Sequence, residues 1–243
     1  MIYLKEFSTE NDYLAYRDDK SNYLKPNVSL CEGNSTVYYN YPPKPKANGH
    51  DYVDLGLPNG TLWATCNVGA SKPSDVGLYF QWGDTSGYTA DQIGKDKQFN
   101  WNNYKFSIDG SSSNFSKYNK TDNKNVLDLE DDAAHVNMGG DWHMPTPDQI
   151  RELINNTTSK WVTQDGVNGR LFISKNGKSI FIPAAGSAWG GSLDGSGSGG
   201  GVWSAALYTY DVHGGQGLGV DPSNANLSSY GRYGGFSVRG VLG

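Results

Sequence analysis

Four side chains that can bind a metal ion recur at helical spacing in the middle of the chain. They are Asp128, Asp131, Asp132 and His135, at positions i, i+3, i+4 and i+7. One helical face would carry all four, and carboxylate and imidazole groups are ligands for divalent cations. Carboxylates in the first turn of a helix also complement the helix dipole. We favour the dipole interpretation and predict neither a metal ion nor a cofactor.

Other common patterns of catalytic residues are missing from the sequence. The run GGSLDGSGSGGG at 190–201 is glycine-rich, but it has neither the Gly-Lys-Ser/Thr ending nor the following helix of a phosphate-binding loop. Neither G-x-S-x-G nor H-E-x-x-H occurs. We therefore expect a protein that is not an enzyme. The enzymatic alternative is a hydrolase that acts through Asp residues of the 84–132 segment, which Asp131→Ala and Asp132→Ala would test.

The C-terminal segment has the composition of a binding surface. Gly, Ser, Tyr and Asn make up half of residues 204–243. Tyrosine gives a large contact area at low entropy cost, and the three smaller residues adapt to a partner. The alternative is a glycine-rich terminal hairpin with ordinary exposed tyrosines, because the same residue types mark turns. The side chains that we predict to face a ligand are Tyr208, Tyr210, Asp211, His213, Asp221, Ser223, Asn226, Ser229, Tyr230 and Tyr233.

Such a surface needs rigid support from the residues around it. The closing stretch GFSVRGVL predicts a strand with one buried face, in which Ser237 and Arg239 point to solvent. The expected anchors of the scaffold are Trp189, Trp203, Phe236 and Val238.

Two helices are predicted before this segment. The first begins at Asp128, buries Leu129, Ala133 and Val136, and ends at Gly139-Gly140. The second follows the stretch Trp142-His143-Met144-Pro145. Thr146 caps it, Pro147 takes its first position and Gln149 completes a capping box. The side chains of this second helix that should face the core are Ile150, Leu153 and Ile154.

Hairpins account for most of the remaining pattern. Asn59-Gly60 predicts a turn between strands at 52–55 and 62–64. Asn176-Gly177 predicts a second hairpin, whose nearly continuous apolar strands suggest a central, doubly buried pair. Aromatic residues scattered through the polar stretch 84–125 should fix a long loop to the body. The fold class expected is α+β, with two helices and several antiparallel hairpins.

A proline-rich stretch divides the chain. Residues 42–49 read as a semi-rigid linker between a segment at 1–41 and a domain at 50–243. The first segment predicts a short helix at 13–16 and two strands around Gly33-Asn34. So short a segment rarely folds alone, so we expect it to attach to a neighbouring protein or to sister subunits.

Charge and hydropathy exclude several classes of partner. The net charge is -5 and no dense Lys/Arg run occurs, so nucleic acid and anionic membranes are not expected partners. No apolar stretch is long enough to predict membrane insertion, and the N-terminus lacks the apolar core of a signal peptide, which predicts synthesis in the cytoplasm without export. Cys31 and Cys66 make no disulfide framework, and we expect both to be buried.

Several ordered blocks resemble one family. DYVDLGLPNGTLWATCNVGA, LEDDAAHVNMGGDWHMPT, IFIPAAG, VWSAAL and GFSVRGV are similar to the Fibrobacter major paralogous domain family, from about His50 to the end. The resemblance implies a C-type-lectin-like fold in which Trp142 belongs to the core. His143 stands where relatives tend to have Arg. Calcium-binding blocks of lectins with this fold are absent, and Cys31 and Cys66 do not suggest the cysteine pair of the formylglycine-generating enzymes, which share a related fold.

Relatives of this kind include proteins diversified by retroelements, in which adenine-directed mutagenesis of Asn codons never yields Lys, Glu, Met, Trp or Gln. Residues 204–243 contain none of the first four types, and Gln216 is the single exception. The resemblance thus implies a variable region at about 202–234. The N-terminal segment resembles leaders of tail-associated proteins from phages of gut bacteria, which implies a location on a virion or prophage tail.

The resemblance implies a receptor-binding or adhesin-like protein whose ligand is a bacterial surface protein or glycan, arranged as a homotrimer by analogy with tail fibres. The alternative is a cell-surface or structural module of the same fold whose sequence does not vary.

Overall fold

The chain divides into two units, Met1–Pro45 and Lys46–Gly243. The computed structural model describes residues 45–243 together with the backbone of 2–6, 29–30 and 36–40. In the first unit, β1 (Ile2–Glu6), β2 (Ser29–Leu30) and β3 (Thr36–Asn40) form an antiparallel sheet in the order β1-β3-β2. The pairing of β2 with β3 confirms the two predicted strands. The predicted helix at 13–16 and Cys31 lie outside the described residues.

The second unit begins with a small antiparallel sheet. Its strands are β4 (Lys46–Ala47), β5 (His50–Asp54) and β6 (Leu62–Ala64). The predicted β5–β6 hairpin is confirmed, and Gly60 has a φ of 79°. Lys46 and Ala47 were predicted to belong to the linker, but they pair with β5 through a turn at Asn48 and Gly49, both of which have positive φ. Cys66 follows β6 in a bend and is partly exposed, so the expectation that it is buried was wrong.

The long segment 84–125 contains only two short 3₁₀ turns, Ala90–Gln92 and Trp101–Asn103. Its aromatic side chains hold it to the body, as predicted, because several of its rings are buried in the apolar clusters of the unit. The buried aromatic residues of this segment are Phe99, Tyr104, Phe106, Phe115 and Tyr118.

The first helix, α1, runs from Ala133 to Met138 and follows a separate 3₁₀ turn at Leu129–Asp131. The predicted start at Asp128 was wrong, because the Asp132 side chain caps α1 by accepting from the backbone N–H of His135 at 2.9 Å. This later start changes the buried face. The predicted buried residues Leu129 and Val136 are 58% and 51% exposed. The buried side chains are Ala133, Ala134 and Met138.

The second helix, α2 (Pro147–Asn156), has the predicted capping box, in which Thr146 and Gln149 bond each other's backbone N–H groups. Ile150 and Leu153 are buried as predicted, and Ile154 packs beside them. A hydrogen bond links the segment just before α2 to the N-terminal cap of α1. Asp132 Oδ2 accepts from the backbone N–H of Met144 at 2.8 Å, and Trp142 is fully buried, which confirms its predicted place in the core.

A second antiparallel sheet follows α2, in the order β7-β8-β9. Its strands are β7 (Thr157–Gln164), β8 (Val167–Ser174) and β9 (Ser179–Pro183). The β8–β9 hairpin at Asn176-Gly177 is confirmed. β7 was not predicted, although Asp165-Gly166 is a standard hairpin turn. Because β7 takes one side of β8, β9 lies at the edge of this sheet, and the expectation of a central pair holds for β8 alone.

The C-terminal region forms a third antiparallel sheet after a short hairpin of β10 (Ser187–Trp189) and β11 (Ser192–Asp194). Its strands are β12 (Gly200–Leu207), β13 (Gly214–Val220) and β14 (Ala225–Gly231), paired in that order. Val202 and Leu218 pack in the same apolar cluster as Ile150 of α2. Trp203, on the opposite face of β12, packs with Trp82 and Phe236 in the largest cluster.

Residues 234–241 are buried, and the end of the chain pairs with the first sheet of the unit. Val241–Leu242 forms β15, which pairs with β6. Ser237 and Arg239 are buried, so the expectation of one solvent-facing side was wrong. Arg239 is accommodated because its guanidinium donates to Asn67 Oδ1 at 2.8 Å and to backbone carbonyls of Ala64 and Phe181.

The described part of the chain is therefore α+β, with two α-helices and mainly antiparallel strands. Among its helices none has the length and apolar character needed to cross a membrane.

Candidate ligand-binding surface

The predicted ligand-facing residues lie mainly at two ends of the β12–β14 sheet. The loop 208–213 joins β12 to β13, and the turn 221–224 joins β13 to β14. Successive connections in an antiparallel sheet lie at opposite ends, and the length of a seven-residue strand separates them, about 20 Å. We call the first group the loop end; its predicted members are Tyr208, Tyr210, Asp211, His213, Tyr230 and Tyr233. Asp221, Ser223 and Asn226 form the turn end.

The loop end presents exposed polar and aromatic groups on a short, hydrogen-bonded loop. Tyr210 is 90% exposed, and its ring centroid lies 5.6 Å from that of Tyr208. Asp211 Oδ1 accepts from the backbone N–H of His213 at 3.0 Å and lies 2.7 Å from His213 Nδ1. Within the described residues, Asp211 Oδ2 makes no hydrogen bond. The loop therefore holds out one phenol and one free carboxylate oxygen.

Four partly exposed aromatic side chains continue this surface, and we call them the aromatic strip: Trp101, Trp189, Tyr230 and Tyr233. All four pack on the largest apolar cluster and keep part of their surface in solvent. The ring of Tyr233 lies 4.7 Å from Trp101 and 5.2 Å from Trp189, centroid to centroid. Trp101 in turn lies 6.4 Å from His213 of the loop end. The fold thus joins a residue of the 84–125 segment to the predicted C-terminal residues.

Glycines beneath the strip let its rings lie close to the backbone. A Cβ atom at Gly234 would stand 2.6 Å from the Trp189 ring, and one at Gly231 would stand 2.8 Å from Tyr233. At Gly219, a Cβ would approach Tyr230 Oη to 2.3 Å. Contacts this short are not sterically tolerated, so the glycine content of the segment reflects ring packing as well as turns.

The Tyr230 ring is packed against the core and is only partly exposed. Its ring lies 4.5 Å from Phe236 and 6.1 Å from Trp203. Burial raises the pKa of the Tyr230 phenol, although a hydrogen bond with Ser228 opposes the shift. Tyr230 therefore contributes to the core and to the surface at once.

Arg232 lies fully buried beneath the loop end. Its guanidinium stands 3.8 Å from the centre of the Phe115 ring and donates from Nη1 to the Tyr118 carbonyl at 3.0 Å. Burial lowers the pKa of Arg232. Nε and Nη2 have no hydrogen-bond partner among the described residues. This arginine is packed against aromatic rings and is not exposed to a ligand, although its charge interacts with Asp211 of the loop end.

At the turn end, the Asp221 carboxylate is occupied by hydrogen bonds within the turn. Asp221 Oδ1 accepts from the backbone N–H of Ser223 at 2.7 Å, from Ser223 Oγ at 2.6 Å and from the backbone N–H of Asn224 at 2.8 Å. Hydrogen bonds from Ser223 and Asn224 hold the pKa of Asp221 below its usual value. Of the predicted residues at this end, Ser223 and Asn226 are exposed, and Pro222 and Asn224 are exposed beside them.

Ser229 belongs to neither end. Neighbouring residues of a strand alternate between the two faces, so Ser229 shares a face with Leu227 and not with Asn226. Leu227 packs on the apolar cluster that contains α2 residues, whereas Asn226 Oδ1 lies beside Gly219 near Tyr230. Asn226 and Tyr230 therefore approach each other over Gly219 and connect the two groups, whereas Ser229 lies on the opposite face of the sheet.

The acidic residues considered for a metal site are held by lysines. Lys117 Nζ lies 2.7 Å from Asp128 Oδ2, 2.9 Å from Glu130 Oε1 and 2.5 Å from Asp131 Oδ2. Burial alone would raise the pKa of Asp131, but hydrogen bonds from Lys105, Lys117 and Tyr118 lower it. An ammonium group thus lies where a cation would bind.

The other two members of the predicted metal set do not join this cluster. Asp132 caps α1, and His135 Nδ1 lies 3.1 Å from the Trp142 carbonyl. Neither side chain belongs to the group of acidic residues formed by Asp128, Glu130 and Asp131.

A separate cavity of about 570 Å³ is lined by His50, Asp51, Thr65, Cys66 and eleven other residues of 46–138. It contains none of the ten predicted ligand-facing residues.

Comparison of the chain with protein-family models, with curated proteins and with solved structures finds no match.

Sequence reasoning did not assign Trp101 to the surface. The signal that could have found it is a tryptophan between asparagines in QFNWNNY, a context too polar for a core segment. Trp189 was expected as an anchor, and it both anchors the strip and exposes part of its ring.

Proposed function

We propose that Lys46–Gly243 is a non-enzymatic ligand-binding domain with a C-type-lectin-like fold, related to the Fibrobacter major paralogous domain family. Its C-terminal surface binds a molecule on a bacterial cell, and retroelement mutagenesis diversifies that surface. The N-terminal unit attaches the domain to a phage tail or to sister subunits.

The observation that carries this proposal is the contrast between the loop end and its support. Tyr210 and Asp211 project from a short loop into solvent, so replacement of their side chains leaves the core intact. Trp203, Phe236 and Arg239, within or just before the same segment, are buried. A surface that varies on a constant framework requires this separation.

The test has two parts. Sequences from sibling genomes should differ at Tyr210, Ser223 and Asn226 and should keep Trp203 and Arg239. The purified full chain should also bind cells of a gut bacterium, and the Tyr210→Ala variant should bind them more weakly. Sibling chains with no variation at the exposed positions would favour a module of constant sequence, and the absence of cell binding would refute the proposal.

A further inference from the structure

The charges of the C-terminal segment restrict the ligand. Residues 204–243 contain no lysine, and their two arginines, Arg232 and Arg239, are both fully buried. The charged groups that this segment exposes are Asp211 and Asp221, with His213 partly exposed. Acidic ligands such as teichoic acids or sialylated glycans would meet carboxylates without a compensating cation from this segment.

The two cations nearest to Trp101 in sequence, Lys97 and Lys105, do not change this balance. Lys105 Nζ lies 2.7 Å from Asp131 Oδ1. The Lys97 side chain is 11% exposed, and its Nζ lies 3.7 Å from Asp84 Oδ2. Burial lowers the pKa of Lys97. Its charge is therefore directed at Asp84 and the rings of Tyr88 and Phe99, and not at a ligand on the strip.

The aromatic strip supplies the contact that an uncharged ring would use. The C–H bonds of a pyranose carry partial positive charge and pack on the negative face of an aromatic ring. Trp101, Tyr233 and Trp189 are three partly exposed rings in succession, and the ring planes are inclined to one another by 51° and 72°, so each ring would meet a separate sugar unit. Extended chains of planar or ring-shaped units bind along successive aromatic platforms in this way.

Two amides and one carboxylate provide hydrogen-bonding groups near these rings. Asn102 and Asn103 are exposed beside Trp101, and Asp211 Oδ2 makes no hydrogen bond with any described residue. Amides donate and accept, and a carboxylate accepts strongly from a hydroxyl. This combination matches the hydroxyl groups of a sugar that lies on the rings.

We propose that the ligand at the loop end is an uncharged glycan, whose sugar rings stack on Trp101, Tyr233 and Trp189 and whose hydroxyl groups bond Asp211, with no metal ion. This inference rests on the proposed function and names the chemical class of its ligand. A protein ligand is the competing outcome, because tyrosine-rich surfaces also bind proteins.

The experiment titrates the full chain with purified neutral polysaccharides (mannan, galactan and dextran) and with an anionic one, teichoic acid. We expect binding to a neutral polymer, unchanged by EDTA and by an increase from 0.15 to 0.5 M salt. Trp101→Ala should weaken it about tenfold or more, the scale of one lost stacking contact. Trp101→Phe, which keeps a ring, should lose less.

Trp161→Ala is the matched control, because Trp161 is a partly exposed tryptophan on β7, outside the strip. It should bind as the unchanged chain does. Circular dichroism and the unfolding temperature of each variant separate lost binding from lost folding.

The inference is overturned if the chain binds the anionic polymer alone, if Trp101→Ala binds the neutral polymer normally, or if none of the polysaccharides binds. Whole-cell binding distinguishes this failure from failure of the proposed function. The proposed function would stand if the chain bound cells through a protease-sensitive component and if Tyr210→Ala, but not Trp101→Ala, lost this binding. The absence of any cell binding would remove both.

Discussion

Tyr230 and Tyr210 were both predicted to face a ligand, but they should respond very differently to truncation. The Tyr230 ring packs on Phe236 and Trp203, whereas Tyr210 is 90% exposed and contacts the ring of Tyr208. Tyr230→Ala should therefore destabilise the domain. Tyr210→Ala should leave its stability unchanged and affect ligand binding alone.

The expected magnitude follows from the packing. Truncation of a fully buried aromatic side chain costs about 3–5 kcal/mol, and one aromatic pair accounts for about 0.5–1.5 kcal/mol of this. Because Tyr230 keeps part of its surface in solvent, we expect a loss of about 2–3 kcal/mol in the free energy of unfolding. A domain of this size loses about 2–4 °C in Tm per kcal/mol, so Tm should fall by about 4–12 °C. Tyr210→Ala should change the free energy by less than about 0.5 kcal/mol.

Urea unfolding of the full chain, followed by tryptophan fluorescence, measures both variants under the same conditions. The slope of the free energy against urea should be equal in the two variants if each unfolds in two states. Equal stabilities for Tyr230→Ala and Tyr210→Ala would refute the distinction between a packed and a displayed tyrosine. A larger loss in Tyr210→Ala would show that the loop end is packed against something else.

Three further predictions test the support of this surface. Gly234→Ala should displace Trp189, lower the free energy of unfolding by about 1–3 kcal/mol and weaken ligand binding at the aromatic strip. Gly60→Ser, at an open turn, should leave ligand binding unchanged. Normal binding by Gly234→Ala would contradict the close packing of Trp189. Because the folded pKa of Asp131 lies below its usual 3.8, its contribution to stability should be complete above about pH 5 and should disappear as the pH falls through the folded pKa. The Tm of Asp131→Asn should therefore fall less than that of the unchanged chain over this pH range. An identical dependence of Tm on pH in the two proteins would exclude this role. Glu152→Gln should lower the free energy of unfolding, measured with urea, by about 1–3 kcal/mol, because the buried carboxylate accepts from the backbone N–H of Asn59 and from Thr61 Oγ1. Unchanged stability would show that the amide replaces both hydrogen bonds.

Local signals predicted the parts of the fold that they determine. The α2 cap and the turns at Gly60 and Gly177 are confirmed, because each depends on a few adjacent residues. The start of α1 was wrong because Asp128 and Asp132 are equally good caps in sequence, and the choice depends on the bond from the distant Met144 to Asp132. The burial of Arg239 also depends on distant carbonyls, which no periodicity records.

The site was predictable in composition but not in arrangement. The exposure of Tyr210 and Ser223 agrees with their residue types. The division of nine of the ten residues between two ends follows from the positions of β13 and β14, which sequence reasoning left unassigned. Trp101 joins the surface through contacts with Tyr233 across 132 positions of the chain, so only the folded structure brings it there.

A tolerant surface on a rigid framework is tested most directly by simultaneous replacement of its exposed side chains. The variant combines Tyr210→Ala, Asp211→Asn, Ser223→Ala and Asn226→Ala, and Trp203→Ala serves as the framework control. We expect the combined variant to keep its circular dichroism spectrum, to lose less than about 2 kcal/mol by urea unfolding and to lose cell binding. Collapse of the combined variant, or undiminished cell binding by it, would contradict the account.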